Sequence, residues 1–193
     1  MTSFDAIVLA GGTSRRMGGG DKTAIVVGGQ TILDRAIAAV EKAERIVVVG
    51  PPCDTTVVVT WTRENPPGGG PVPAVAAGVN RLGTTAPDRP IVILAGDVPF
   101  ASSAIPRLRQ ALGKHDVALL VDVDNHDQYL IAIWQGAALR RRIAIDDLQG
   151  MSMRRLFDVA DAIRVVAQEQ EALDCDEPAD ITSAHQIVKS QQT

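Results

Sequence analysis

The chain alternates short runs of consecutive apolar residues with segments whose apolar residues recur at helical spacing. The runs are rich in β-branched residues and are predicted to be strands at 6–9, 45–49, 57–60, 91–94 and 117–121. Their apolar residues are consecutive, whereas a strand with one face in water alternates apolar and polar residues. The pattern therefore predicts strands covered on both faces, as in a mainly parallel sheet.

Helical spacing between these strands predicts crossover helices at 32–42, 73–82 and from Ser102 or Ser103 to Leu112. Thr31 is suited to cap the first of them, because its hydroxyl can accept a hydrogen bond from the first turn. Gly113 marks the end of the third. Strand and helix in regular succession predict right-handed crossovers and an α/β three-layer sandwich.

The last third of the chain is less regular. We predict a strand at 128–134 that need not run parallel to the others, helices at 137–143 and 152–159, a strand at 163–166, a helix at 179–189 and a frayed tail at 190–193. The sequence shows no internal repeat and no linker rich in Ser, Gly or Pro. A single domain over residues 1–189 is therefore expected.

Composition narrows the functional classes. A net charge of −4 argues against a protein that coats nucleic acid, which needs a basic surface. No apolar run approaches the roughly 20 residues of a membrane helix, and the chain opens without a leader pattern, so we expect a cytoplasmic protein. Cys53 and Cys175 lie far apart without the spacing of a zinc site.

Residues 9–22, with the sequence LAGGTSRRMGGGDK, follow the first predicted strand. A glycine-rich turn at this position lets backbone N–H groups approach phosphate oxygens. The spacing matches neither GxGxxG nor GxxxxGK[ST], so the two standard nucleotide loops are disfavoured. An open loop with Arg16 and Lys22 suits the phosphates of a nucleoside triphosphate; the alternative is a flexible surface loop with solvated charges.

Two more segments extend this prediction. Asp97 follows the strand at 91–94 and is expected at the same sheet edge, where it could bridge a divalent cation to phosphate oxygens or, alternatively, cap the next helix. The stretch ENPPGGGP, which begins at Glu64, combines prolines and glycines that would fix a bent backbone beside a flat ligand such as a nucleobase.

Together these segments resemble the molybdenum cofactor guanylyltransferase family, within a wider group of nucleotidyltransferases. The shared motifs are LAGG at 9–12, RMG at 16–18, DK at 21–22, GGP at 69–71 and GDVP at 96–99. The segment DCDEPAD at 174–180 resembles the closing segment of the family, with Glu177 where threonine is usual. Gly50-Pro51 stands where the family often has a nucleotide-contacting asparagine.

The resemblance implies a Rossmann-like, mostly parallel sheet of the nucleotide-diphospho-sugar transferase type, and transfer of GMP from GTP to molybdopterin with release of pyrophosphate. It implies Mg2+ as cofactor, held by Asp97 and, as in related transferases, Asp176. It also implies contact with other proteins of molybdenum cofactor synthesis, and neither nucleic acid nor membrane as a partner. The nucleotide-binding residues that it implies are Leu9, Ala10, Gly11, Gly12, Lys22, Glu64 or Asn65, Gly70 and Asp97; the catalytic residues are Arg16, Lys22 and Asp97.

Alternatives remain at this stage. The same chemistry with CTP or with another phosphorylated acceptor is one, and a GTP-binding protein without catalysis is another. An oxidoreductase is disfavoured because GxGxxG is missing. The arginines at 140–142 and 154–155 would either receive the acceptor phosphate or form solvated helix faces. Trp134 would be either a core residue or a wall of the pterin site, and the core is favoured.

Overall fold

A mixed sheet forms the centre of the protein in a computed structural model that describes residues 3–11, 22–144 and 147–191. Within these residues the strands are β1 (Asp5–Leu9), β2 (Val26–Val27), β3 (Gln30–Thr31), β4 (Ile46–Val49), β5 (Thr60–Thr62), β6 (Ile91–Ala95), β7 (Val117–Val121), β8 (Asp127–Trp134) and β9 (Ala162–Val166). The helices are α1 (Ile32–Ala39), α2 (Pro71–Leu82), α3 (Ala104–Leu112), α4 (Gly136–Ile143), α5 (Met153–Phe157) and α6 (Pro178–Gln191).

Seven strands pair in the order β5-β4-β1-β6-β8-β7-β9. β8 runs antiparallel to both of its neighbours, and the other neighbouring strands are parallel. The carboxyl ends of β1, β4 and β6 therefore lie at one edge of the sheet. β2 and β3 form a separate antiparallel hairpin.

The sheet is covered on both faces, as the consecutive apolar residues predict. Val8 points into a core shared with α1 and α3, where it joins Ile37 and Leu108. Ile7 points to the opposite face and joins Val75 of α2 and Leu139 of α4. This alternation confirms the α/β three-layer sandwich.

The carboxyl-terminal helix α6 closes a smaller core beside the sheet. Val188 and Ala184 of α6 pack with Val27 of the β2–β3 hairpin and with Cys175. The segment before α6 is thereby fixed next to the 3₁₀ turn of Lys22–Ala24. Two distant parts of the chain thus become neighbours: Lys22 and Asp176, which are 154 residues apart in sequence, are hydrogen-bonded.

Most predicted elements are present with small shifts at their ends. Thr31 caps α1, and its hydroxyl accepts a hydrogen bond from the Asp34 N–H at 3.0 Å. α1 ends at Ala39, three residues before the predicted end at 42. α6 continues to Gln191, into the segment predicted to be frayed.

The strand predicted at 57–60 is wrong in position. β5 is formed by Thr60–Thr62, which pair with Val47, Val48 and Val49 of β4. Val58 is 96% exposed, whereas Val57 and Val59 pack against the core. A run of valines has high strand propensity, but the register with β4 decides which residues pair, and this register is a tertiary property.

The expected cap by Ser102 or Ser103 is also wrong in its chemistry. Ser103 stands at the N-cap of α3 but makes no side-chain cap hydrogen bond. Its hydroxyl donates instead to the carboxylate of Glu171 at 2.7 Å. A hydrogen bond to a buried carboxylate is charge-assisted, and it orients the Ser103 hydroxyl toward Glu171.

Candidate active site

A cleft of about 480 Å³ opens where β1, β4 and β6 end. The register aligns Leu9 of β1 with Val49 of β4 and with Ala95 of β6, so three strand ends form its floor. In open α/β sheets this edge is the usual place for a ligand. The lining residues are Leu9, Ala10, Gly11, Lys22, Thr23, Val49, Glu64, Gly68, Gly70, Pro71, Ala74, Ala95, Asp97 and Leu130.

Most residues singled out in the sequence meet in this cleft. Leu9, Ala10 and Gly11 contribute backbone at the end of β1, while Lys22 and Asp97 contribute charge. Asn65 lines a different pocket, between β5, α2 and residues 147–149. Gly12 and Arg16 lie outside the described residues.

Lys22 bridges two carboxylates at one end of the cleft. Its Nζ lies 2.5 Å from Asp97 Oδ2 and also donates a hydrogen bond to Asp176 Oδ1. The Lys22 side chain is 13% exposed, and those of Asp97 and Asp176 are 21% and 36% exposed. Burial opposes the charge of Lys22, but its hydrogen bonds to Asp176 and Asp97 outweigh burial, so its pKa is raised and it stays charged at neutral pH.

The backbone fixes the position of this ion pair. Lys22–Ala24 form a single 3₁₀ turn in which Thr23 is buried. The Cys175 N–H donates to the carbonyl oxygen of Asp97 at 3.0 Å, which ties the carboxyl-terminal segment to the end of β6. Asp180 accepts hydrogen bonds from the backbone N–H groups of Asp176 and Glu177, and so orders the turn that presents Asp176.

The surrounding potential is negative. Burial and the charges of Asp176 and Asp97 raise the pKa of Asp174. Burial, with the nearby charges of Asp180, Asp97 and Asp174, raises the pKa of the Cys175 thiol to about 12. Cys175 is therefore a neutral thiol in a small apolar core rather than a nucleophile.

Glu64 lines the cleft from the glycine- and proline-rich turn after β5, and β5 is three strands away from β6 in the sheet. Its Oε1 accepts a hydrogen bond from the Gly68 N–H at 2.9 Å, which holds the carboxylate in place. The turn leads into α2, whose N-cap Gly70 offers no side-chain acceptor. Pro71 and Pro73 have no backbone N–H, and the Ala74 N–H donates to the Gly70 carbonyl oxygen. In the first turn of α2, Val72 is therefore the residue whose N–H can face a ligand at the Pro71 end of the cleft.

The packing around Gly50 explains why this chain has no asparagine where the family often has one. A Cβ on Gly50 would lie 2.8 Å from the carbonyl carbon and oxygen of Ala10, closer than any side chain tolerates. An asparagine at this position would push apart the ends of β1 and β4. Ala10 and Glu64 both line the cleft on this side.

The apolar lining was missed in the sequence. Val49, Ala74 and Leu130 contribute to the cleft, and Leu130 belongs to β8, which is not adjacent to β1. Nothing in the local pattern distinguishes these side chains from ordinary core residues.

A second group of metal-type side chains lies elsewhere. Within the described ranges, ligand atoms of Asp122, Asp124 and His126 lie within 4.8 Å of one another after β7. Asp122 accepts backbone hydrogen bonds from Asp124 and His126, so this group is a tight turn before β8. In the sheet it is two strands away from the end of β6.

The basic stretches are tied into the fold. The Arg142 guanidinium donates to the carbonyl oxygens of Leu156 and Arg155, which joins α4 to the end of α5. Arg141 pairs with Asp116 at 3.5 Å. None of these arginines lines the cleft, and Trp134 is fully buried, which confirms its place in the core.

Asp97 does not act as a helix cap in this structure. Its carboxylate pairs with Lys22, and the N-cap position of α3 belongs to Ser103. Across the part of the chain that the structure describes, no helix combines the length and the apolar character needed to cross a bilayer.

Similar solved structures define the class of fold as that of nucleotidyltransferases. The molybdopterin-guanine dinucleotide biosynthesis protein A from Archaeoglobus fulgidus superimposes with a TM-score of 0.75 and 16% identity, covering 97% of this chain and 100% of that one. A 2-C-methyl-D-erythritol 4-phosphate cytidylyltransferase from Thermus thermophilus superimposes with a TM-score of 0.72 and 16% identity, covering 97% and 100%. At this identity the likeness shows the fold alone.

Sequence similarity is more specific. Residues 6–168 match the model of the MobA-like NTP transferase domain. A probable molybdenum cofactor guanylyltransferase of Mycobacterium tuberculosis is 30% identical over 175 residues, which cover 86% of this chain and 85% of that protein. The chain belongs to the family of MobA-like NTP transferase domains.

Proposed function

We propose that the protein transfers GMP from GTP to the terminal phosphate of molybdopterin and releases pyrophosphate. The observation that carries the proposal is the convergence of Lys22, Asp97 and Asp176 at one end of a cleft that has Glu64 at the other. One end suits phosphates with a metal ion, and the other suits a base. The name of the Mycobacterium tuberculosis relative supports the choice of reaction.

The carboxylates fit Mg2+. Asp97 and Asp176 offer hard oxygen ligands, and their shared contact with the Lys22 ammonium demonstrates that both converge on a single cation. When bound, Mg2+ would neutralise charge on the α-phosphate and on the leaving pyrophosphate. Asp97 and Asp176 would hold it, from the end of β6 and from the segment before α6 respectively.

The residues of the chain would act mainly by positioning and by charge. An oxygen of the acceptor phosphate attacks the α-phosphorus in line, a new P–O bond forms, and the bond to the bridging oxygen of pyrophosphate breaks. Lys22 would hold the phosphates, with backbone from Leu9 to Gly11 beside them. We assign to Arg16 the stabilisation of the negative charge that develops on the leaving pyrophosphate.

Glu64 favours guanine as the base. A carboxylate accepts two hydrogen bonds, and the Watson–Crick edge of guanine presents two adjacent donors, whereas that of cytosine presents one. Glu64 lines the cleft and Asn65 does not, so Glu64 is the residue that we assign to the base. We further propose that the reaction takes place in the cytoplasm, in contact with other proteins of molybdenum cofactor synthesis.

The test is an incubation of the purified protein with each of the four triphosphates, Mg2+ and molybdopterin, followed by measurement of pyrophosphate. GTP is expected to support the fastest release. Lys22→Ala and Asp97→Ala should each lose about a hundredfold or more in turnover while remaining folded, because each removes charge stabilisation of the transition state. Lys114→Ala, an exposed lysine near the amino end of β7, is the matched control and should retain the wild-type rate.

Other outcomes would replace the proposal. Fastest release with CTP would make the protein a cytidylyltransferase. GTP binding without pyrophosphate release, across molybdopterin and other phosphorylated acceptors, would make it a binding protein. Wild-type rates in Lys22→Ala or Asp97→Ala would remove those residues from the mechanism.

A further inference from the structure

The carboxylates of Asp97 and Asp176, which suit a divalent cation, are already paired with the ammonium group of Lys22. Lys22 Nζ lies 2.5 Å from Asp97 Oδ2 and donates to Asp176 Oδ1. A divalent cation on these oxygens would sit about 2.1 Å from them. The Lys22 ammonium and a bound divalent cation would therefore occupy the same space between the two carboxylates.

The two cations cannot share that gap. If the ammonium and the divalent cation contact the same oxygen, their centres lie within about 5 Å, and at such separations like charges in a partly buried site repel strongly. The Lys22 side chain is 13% exposed, so water screens this repulsion only weakly. Either the ammonium or the divalent cation occupies the pair.

The backbone of Lys22 is held by the packing around it. The 3₁₀ turn of Lys22–Ala24 is anchored by buried Thr23, and the adjoining hairpin packs on α6 through Val27 and Val188. The side chain, in contrast, has a flexible stem with four carbons that can swing to another anion. A triphosphate in the cleft offers such an anion, since Lys22 lines it.

We propose that Lys22 excludes a divalent cation from Asp97 and Asp176 until a triphosphate draws its ammonium away, so that metal and nucleotide enter the site together. This inference rests on the proposed function for the location of the metal and of the phosphates. On this proposal Lys22 acts before the chemical step, because its ammonium prevents the metal from binding before the nucleotide.

The experiment measures Mn2+ binding in the absence of nucleotide and acceptor, by calorimetry and by the electron paramagnetic resonance of free Mn2+. Lys22→Met keeps most of the length of the side chain and removes the charge. It should bind Mn2+ at least about tenfold more tightly than the wild type. Lys22→Arg keeps the charge at the pair, and Lys114→Met removes one exposed charge at the opposite edge of the sheet; both should bind like the wild type.

A second substitution locates the metal. Asp97→Asn added to Lys22→Met should abolish the gain; a gain that persists would place Mn2+ elsewhere, such as at the turn of Asp122, and would overturn the proposal. Unchanged or weaker binding by Lys22→Met would overturn it as well. Since no triphosphate is present, this result is independent of pyrophosphate release, and failure of the transferase assay would leave it standing.

The wild-type protein provides a further measurement in case Lys22→Met does not fold. Titration with Mg2+ should shift the Lys22 Nζ resonance with the same midpoint as metal binding, because the ammonium must leave its carboxylates. Metal binding that leaves this resonance unmoved would overturn the proposal.

Discussion

At the scale of the residue, the neighbouring side chains Glu64 and Asn65 differ in which surfaces they line. Both are polar, and both precede the glycine-rich turn. Glu64 lines the cleft with its carboxylate bonded to the Gly68 N–H, while Asn65 belongs to a pocket on the other side of the turn. The sequence leaves the choice between them open; in the structure both residues line the second pocket, but only Glu64 also lines the cleft.

Glu64→Gln tests the assignment to the base. The amide can still accept from Gly68 but offers guanine only one acceptor, so GTP should bind about tenfold or more weakly while CTP and ATP change little. Binding constants for the three nucleotides check this. Asn65→Ala is the control and should leave GTP binding unaltered. An equal loss for all three nucleotides would mean that Glu64 only shapes the turn.

The packing of α2 on β1 is the decisive contact at the scale of the element. Gly78 of α2 faces Ile7, and a Cβ there would lie 2.6 Å from Ile7 Cγ2. The helix can approach the strand this closely only without a side chain at 78. The same approach brings Pro71 and Ala74, at the amino end of α2, to the cleft.

Gly78→Ala should therefore destabilise the protein by about 1–3 kcal/mol, because the overpacking of Ile7 outweighs the better helix propensity of alanine. Urea denaturation gives the free energy of unfolding. Asn80→Ala, on the exposed side of the same helix, should change it by no more than about 0.5 kcal/mol. An increase in the free energy of unfolding for Gly78→Ala would show that β1 and α2 can move apart without losing stability.

A buried carboxylate joins distant parts of the chain at the scale of the whole molecule. Glu171, 3% exposed, accepts hydrogen bonds from Ser103 at 2.7 Å and from the Gln168 N–H at 2.8 Å, and pairs with Arg107 of α3. Burial opposes its charge, but these hydrogen bonds and the charge of Arg107 lower its pKa. The segment that presents Asp176 is thus anchored to α3.

Glu171→Gln should lower the free energy of unfolding by about 3 kcal/mol at pH 7, since it removes the carboxylate that balances the charge of Arg107. The pKa in the folded protein lies below the unfolded value of about 4.3, so this stability is present above that value and is lost as the pH falls through the folded pKa. The difference between wild type and variant should therefore shrink in acid. Glu169→Gln, at an exposed neighbour, is the control; a difference that stays constant down to pH 3 would contradict the argument.

The sequence by itself determined the layered α/β fold and the edge of the sheet where the candidate site lies. Both follow from local properties: consecutive apolar residues require strands covered on two faces, and parallel strands with helical crossovers bring their carboxyl ends together. The same reasoning predicted Lys22 and Asp97 at one site, and the structure confirms that they touch.

Only the tertiary structure decided which way β8 runs, where β5 pairs with β4, and that Asp176 reaches Lys22 across 154 residues. These features depend on strand register and on the packing of α6 against the β2–β3 hairpin. Contacts of this kind are set by which distant surfaces fit together, and local propensity carries no information about that fit.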